Sequence, residues 1–134
     1  MARISKLAVY FAMAVVLAVS LGCAPQPVRN VTNAPVVTST KTPSIGEVGE
    51  AIKRAGVGLG WAMREQQPGK IVGTLVLRTH TAVVNIDYDT ASYSINYADS
   101  SELKYDAAKG TIHKNYNSWV QNLNNAIRAQ LSAV

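Results

Sequence analysis

The sequence predicts a small α+β domain: helix, three-stranded antiparallel sheet, helix, with both helices on one sheet face. Three observations carry this. An apolar stripe at three- and four-residue steps runs from Ile45 to Met63, apolar and polar residues alternate strictly between Ala82 and Tyr97, and a second helical stripe runs from Tyr116 to Leu131. With 134 residues the chain has room for one domain, expected over residues 44–134.

Two shorter segments precede it. Residues 1–22 read as a signal peptide, with Arg3 and Lys6 as a positive start, a nearly unbroken apolar run from Leu7 to Leu21 and small residues after it. That run is about fifteen residues, short of the roughly twenty that span a bilayer. Residues 23–43 hold the only cysteine, Cys23, and then Pro25, Pro27, Pro35 and Pro43 among Val, Thr, Asn and Ser. They show no helical or strand period, which predicts a flexible Pro-rich tether with a reach of roughly 60 Å when fully extended.

The first helix starts at Ser44, where "SIGE" places Glu47 three residues after a capping serine. Its stripe is Ile45, Val48, Ile52, Ala55, Leu59 and Met63. Gly49, Gly56 and Gly60 flank the stripe, either for close packing of helix on sheet or as a surface for another chain. "QQPGK" (residues 66–70) reads as a turn. Strand-like sequence from Ile71 to Tyr88 is too long for one strand and divides near Thr79, His80 and Thr81. Ala82, Val84, Ile86 and Tyr88 then share one face, as do Tyr93, Ile95 and Tyr97 after "DTA". Residues 100–110 form a polar connection with Leu103 and Tyr105 expected beneath it. The last helix is expected from about Asn115, with Tyr116, Trp119, Val120, Leu123, Ile127 and Leu131 inward.

Charge excludes one class of partner. The formal net charge is +5, but residues 44–134 hold nine Lys and Arg against eight Asp and Glu, with no basic cluster. Nucleic acid is therefore not expected as a partner. Catalytic and cofactor motifs are equally sparse. His80 and His113 are the only histidines, neither HExxH nor CxxC occurs, and no metal or cofactor is expected. No G-x-S-x-G or S-x-x-K places a serine nucleophile, so no catalytic residue is assigned. The polar residues left as interaction candidates are Arg78 and His80, and His113, Asn115 and Asn117 within "IHKNYNSWV". Asn115 or Asn117 is equally expected as the cap of the last helix, since capping alone selects such residues. The tyrosines fall at buried phases, as core rather than as a sugar-stacking platform.

"SLGC" ends the apolar run and resembles the lipobox of bacterial lipoproteins, although Ser20 and Leu21 stand where that pattern favours Leu and a small residue. The resemblance implies cleavage before Cys23 and attachment of a diacylglyceryl group to its sulfur. Ala24 is similar to a sorting signal for the outer membrane. Gly60-Trp61, "PGKI", "RTHTAVVNIDY", "YSINY", "SELKY" and "IHKNYNSWV" together resemble an uncharacterised group of short proteobacterial envelope lipoproteins. That group implies an anchor and no mechanism. The expectation is thus a membrane-anchored periplasmic lipoprotein that acts as a noncatalytic binding or scaffold module for another envelope component, facing the periplasm from the outer membrane. A binder of a small glycan or lipid is the alternative, and a small hydrolase a more distant one.

Overall fold

The computed structural model describes residues 24–40 and 42–134. The expected signal peptide and Cys23 lie outside the described residues. In chain order the elements are β1 (Gln26–Pro27), β2 (Val31–Pro35), α1 (Ile45–Gly58), β3 (Ala62–Gln67), β4 (Lys70–Leu77), β5 (His80–Tyr88), β6 (Ser92–Ser101), β7 (Thr111–Ile112) and α2 (Lys114–Leu131). The architecture is α+β, but the three-stranded sheet is corrected. The main sheet has five strands, ordered β2-β6-β5-β4-β3, and β1 pairs with β7 in a separate two-stranded ribbon. All pairings are antiparallel.

The two additional strands of the main sheet, β2 and β3, come from two places. Met63 falls in phase with the α1 stripe, so periodicity alone extends that helix too far. Instead α1 stops at Gly58, Gly60 adopts a positive φ of 88°, and the Trp61 N–H donates back to the Gly56 carbonyl at 2.9 Å. The chain then returns as β3, with Glu65 opposite Ile71 of β4. β1 and β2 arise within the segment expected to be a tether. Val31 lies opposite Ile95, Ala34 opposite Tyr93 and Pro35 opposite Ser92, with a bulge between Val31 and Ala34.

One face of the sheet supplies Ile71, Leu75, Ala82, Val84, Ile86, Tyr88, Tyr93 and Ile95, all buried. Val48, Ala51, Ile52 and Ala55 of α1 and Tyr116, Val120, Leu123, Ile127 and Leu131 of α2 join them in one core. Each fully buried branched or aromatic side chain contributes about 1.5–3 kcal/mol. The other face, with Thr74, Val83, Asn85, Ser94 and Asn96, is only partly covered. A capping box starts α1: the Glu47 N–H donates to Ser44 Oγ at 3.1 Å, and the Ser44 N–H donates to Glu47 Oε2 at 2.8 Å.

The glycine flank of α1 is used inside the chain. A Cβ on Gly49 would stand 2.5 Å from Tyr88 Oη, and one on Gly56 would stand 2.3 Å from Met63 Sδ. Helix and sheet therefore approach closely on this side. Beside it, Glu65 accepts from Tyr88 Oη at 3.2 Å and lies 3.4 Å from Lys53 Nζ, tying α1 to β3 and β5.

Tyr116 is fully buried, and its hydroxyl has no hydrogen-bond partner among the described residues. Its ring meets Tyr97 edge-on at 5.5 Å. Tyr116→Phe keeps that packing and removes the orphan polar atom, so it is expected to raise stability by about 1 kcal/mol in urea unfolding. A loss of that size would mean that the hydroxyl is bonded in solution. Burial pushes the Tyr116 hydroxyl well above the ordinary tyrosine range. The folded chain therefore keeps a proton that the unfolded chain releases above about pH 10, and stability falls as pH rises past that point. Tyr116→Phe is expected to make this alkaline decline shallower.

Candidate functional site

Two regions bear on function. The first is the end of the sheet that carries the polar residues singled out in the sequence. Arg78 sits exposed in the β4–β5 turn with a positive φ of 58°. His80 pairs with Leu77 across that turn, and its ring meets Trp119 of α2 edge-on at 6.4 Å. His113 is the N-cap of α2, where Nδ1 accepts the Asn115 N–H at 3.1 Å and the His113 N–H donates to the Leu103 carbonyl at 2.9 Å. The cap was expected at Asn115 or Asn117, and it falls earlier because the His113 imidazole accepts the Asn115 N–H, which starts the helix at Lys114.

Asn117 has a different partner. Its Nδ2 donates to the Pro27 carbonyl and its Oδ1 accepts the Arg29 N–H, both at 2.9 Å. The side chain therefore holds the N-terminal segment of its own chain, next to the hydrogen bond from the Val28 N–H to the Gly110 carbonyl at 2.9 Å. Asn117→Ala is expected to speed amide exchange over residues 26–30 by about tenfold or more, given about 0.5–1.5 kcal/mol per lost bond. Unchanged exchange there would remove this fastening role.

These residues share an end of the sheet without forming a reaction centre. Among the described residues no hydrogen bond joins His80 to His113 or either one to a carboxylate. Nor does any group of three or more His, Cys, Asp and Glu among the described residues stand ready to hold a metal ion. The nearby tyrosines stack on one another: Tyr97 and Tyr105 lie 4.1 Å apart at 26°. Leu103 is buried as expected, whereas Tyr105 is 41 % exposed.

The second region is a groove of about 670 Å³ between β2 and α2. That volume falls within the usual range of ligand pockets. Ala34, Pro35, Val37 and Leu131 give it apolar walls, and Asn124 and Arg128 supply polar groups. Buried Tyr93 also lines it and donates its hydroxyl to Asn124 Oδ1 at 2.6 Å. Burial raises the Tyr93 hydroxyl above the ordinary tyrosine range, opposed by the positive charge of Arg128, so the phenol stays a neutral donor at physiological pH. Among the described residues lining the groove there is no His, Cys, Asp or Glu to act as a base. The arrangement suits noncovalent binding of an apolar group that carries an acceptor or a negative charge.

Sequence reasoning missed this groove because one wall is β2. The available signal was "VTNAPVV" (residues 31–37), which is rich in β-branched residues but carries a proline and a bulge that break its alternation. The chain matches no family model, no curated protein and no solved structure.

Proposed function

We propose that the chain is a lipid-anchored lipoprotein of the cell envelope whose domain binds another envelope component without catalysis. The observation that carries this reading is the apolar run ending in "SLGC", with a single cysteine at the point where the signal would be cut. A lone thiol in an exported protein has no internal disulfide to form, whereas acylation gives it a purpose. The outer membrane, facing the periplasm, is the proposed location from Ala24 after the cysteine.

The groove between β2 and α2 supports a binding role, because its walls are apolar and its polar groups are neutral amides, a phenol, the Ser132 hydroxyl and one guanidinium. Addition of a partner strand is less favoured. The sheet edges are β2 and β3, and bulges at Val31/Ala34 and Glu65/Gln67 interrupt both ladders. A second reading, a small envelope ligand such as a lipid or glycan, draws support from the groove volume and moves the ligand from Arg78, His80 and His113 to Tyr93, Asn124 and Arg128.

The test is crosslinking and co-purification of the full-length protein from native envelopes, with the mass of intact protein measured alongside. Cys23 is expected to carry a diacylglyceryl group. A component is expected to co-purify with the intact chain and to be lost in both Cys23→Ala and Val37→Arg, the latter changing an exposed groove residue. An unmodified Cys23 would overturn the anchor, and retention of the component by Val37→Arg would remove the groove from the binding role.

A further inference from the structure

Only Ala24 and Pro25 separate Cys23 from β1, and three residues of chain reach about 11 Å at most. From Gln26 onward the segment is fastened: Gln26 and Pro27 pair with Ile112 and Thr111, and Asn117 holds Pro27 and Arg29. A long leash is therefore replaced by a short link, and a lipid on Cys23 brings the bilayer to within a few residues of the folded domain.

The β6 register shows which end of the sheet the segment enters. Val31 lies opposite Ile95, and the Tyr97 N–H donates to Asn30 Oδ1, so the chain arrives from the end where Thr81 faces Ser101 and Leu77 faces His80. The exposed large apolar residues gather there. Val76 and Leu77 precede the β4–β5 turn, Tyr105 lies in the connection after β6, and Val57 and Leu59 sit where α1 ends. Gly60, next to Leu59, approaches Leu75 of β4 and so places that helix end on the same side. Of the exposed large apolar residues described, only Val37 and Ile45 lie elsewhere.

The same end exposes Arg29, Arg78, Lys104, Lys109 and Lys114. Its carboxylates are Asp99, Glu102 and Asp106, of which Asp106 accepts the Lys109 N–H and Asp99 the Ser100 N–H. The opposite end mixes its charges: Glu47 at the start of α1 and Asp87 and Asp89 beside the β5–β6 turn stand with Lys70, which lies opposite Asp87, and with Arg128 in the last turn of α2. Apolar and tyrosine side chains interleaved with cations suit the boundary between lipid tails and anionic headgroups.

We infer that the end of the sheet formed by the β4–β5 turn, the 102–110 connection and the start of α2 rests on an anionic phospholipid surface. This rests on the lipoprotein reading of Cys23. The domain then lies against its own membrane, with the Asp87–Asp89 end pointing away.

The test uses full-length protein purified from membranes, first weighed intact and then placed in nanodiscs of phosphatidylglycerol and phosphatidylethanolamine. Fluorophores are attached at Val76→Cys or Asp89→Cys, and the lipids carry headgroup quenchers. The Val76→Cys probe is expected to be quenched severalfold more than the Asp89→Cys probe. Each cation at an anionic surface is worth about fivefold in binding. The combined substitutions Lys104→Glu, Lys109→Glu and Lys114→Glu should therefore shift the docked population more than a hundredfold and bring the two probes together. Combined glutamine substitutions should act in the same direction more weakly. Equal quenching of the two probes on acylated protein would overturn the inference and leave the lipoprotein reading intact. An unmodified Cys23 would overturn both. Quenching of Val76→Cys that requires added envelope proteins would assign this end to a protein partner and overturn the lipid surface.

Discussion

A chain lacking residues 24–36 is expected to melt about 10 °C or more below the intact chain, a loss of about 3 kcal/mol for a domain of this size. The segment supplies Val28, Val31, Ala34 and Val36, which pack partly buried against the core. It also covers β6, whose Tyr93 and Ile95 are 1 % and 0 % exposed. Its polar contacts reach far along the chain: the Asn33 N–H donates to Ser94 Oγ at 2.9 Å, and Asn30 Oδ1 accepts the Tyr97 N–H at 3.0 Å. Against these gains stands the entropy of ordering the segment, about 1–2 kcal/mol per residue for the backbone, so the net loss is far smaller than the summed contacts. Thermal melts of the two chains decide the matter. A truncated chain that melts within about 2 °C of the intact one would make the segment a spacer after all.

Gly49→Val is expected to destabilise the domain by about 2–3 kcal/mol, while Gly58→Ala on the same helix is expected to stabilise it by about 0.5–1 kcal/mol. The two glycines differ in what a side chain meets. At Gly49 the added carbon would stand 2.5 Å from Tyr88 Oη and 3.1 Å from Cζ, and the ring is held by its hydrogen bond to Glu65. Either the ring leaves Glu65 or α1 shifts off the sheet. At Gly58 nothing lies within 4 Å, so alanine brings only its better helix propensity. Gly56 is intermediate, because the thioether of Met63 that crowds it is flexible. Urea midpoints should therefore rise from Gly49→Val through Gly56→Ala to Gly58→Ala. A neutral Gly49→Val would mean that the contact with Tyr88 is looser than its geometry implies.

Much of the fold was legible where one period dominates a segment. The α2 stripe from Tyr116 to Leu131, the capping box at Ser44 and the alternation in β5 and β6 all follow from spacing alone, because each element buries one continuous face. The division of the long strand region was also close. The turn falls at Arg78 and Thr79 although neither is glycine, with Arg78 taking the left-handed conformation itself. The losses have local causes. Asn33 adopts a positive φ of 50° beside a bulge, so the phase of β2 changes within the strand and its period disappears. In β3 the exposed run "REQQ" alternates poorly because the strand is a sheet edge, and Met63 happens to continue the helical phase.

The candidate sites divide in the same way. Asn115 lies at a helix start, as its residue type suggests, since capping is decided within a few residues, but the cap itself is His113. Asn117 could not be read so, because its partners Pro27 and Arg29 stand 90 and 88 residues away along the chain. The groove was hidden for a related reason: it exists only when β2 and α2 come together, and no local pattern encodes their meeting.

The position of β2 has a further consequence, for the order in which the chain assembles. β3, β4, β5 and β6 form a run of neighbouring hairpins, whose strands find one another across short turns and whose closure costs little entropy. β2 precedes them all but pairs only with the last, so its docking waits until β6 is in place. The meander is the natural nucleus, and a strand made before it settles after it. Stopped-flow refolding is accordingly expected to show substitutions at Val84 and Ile86 slowing folding, and a substitution at Val31 acting mainly by speeding unfolding.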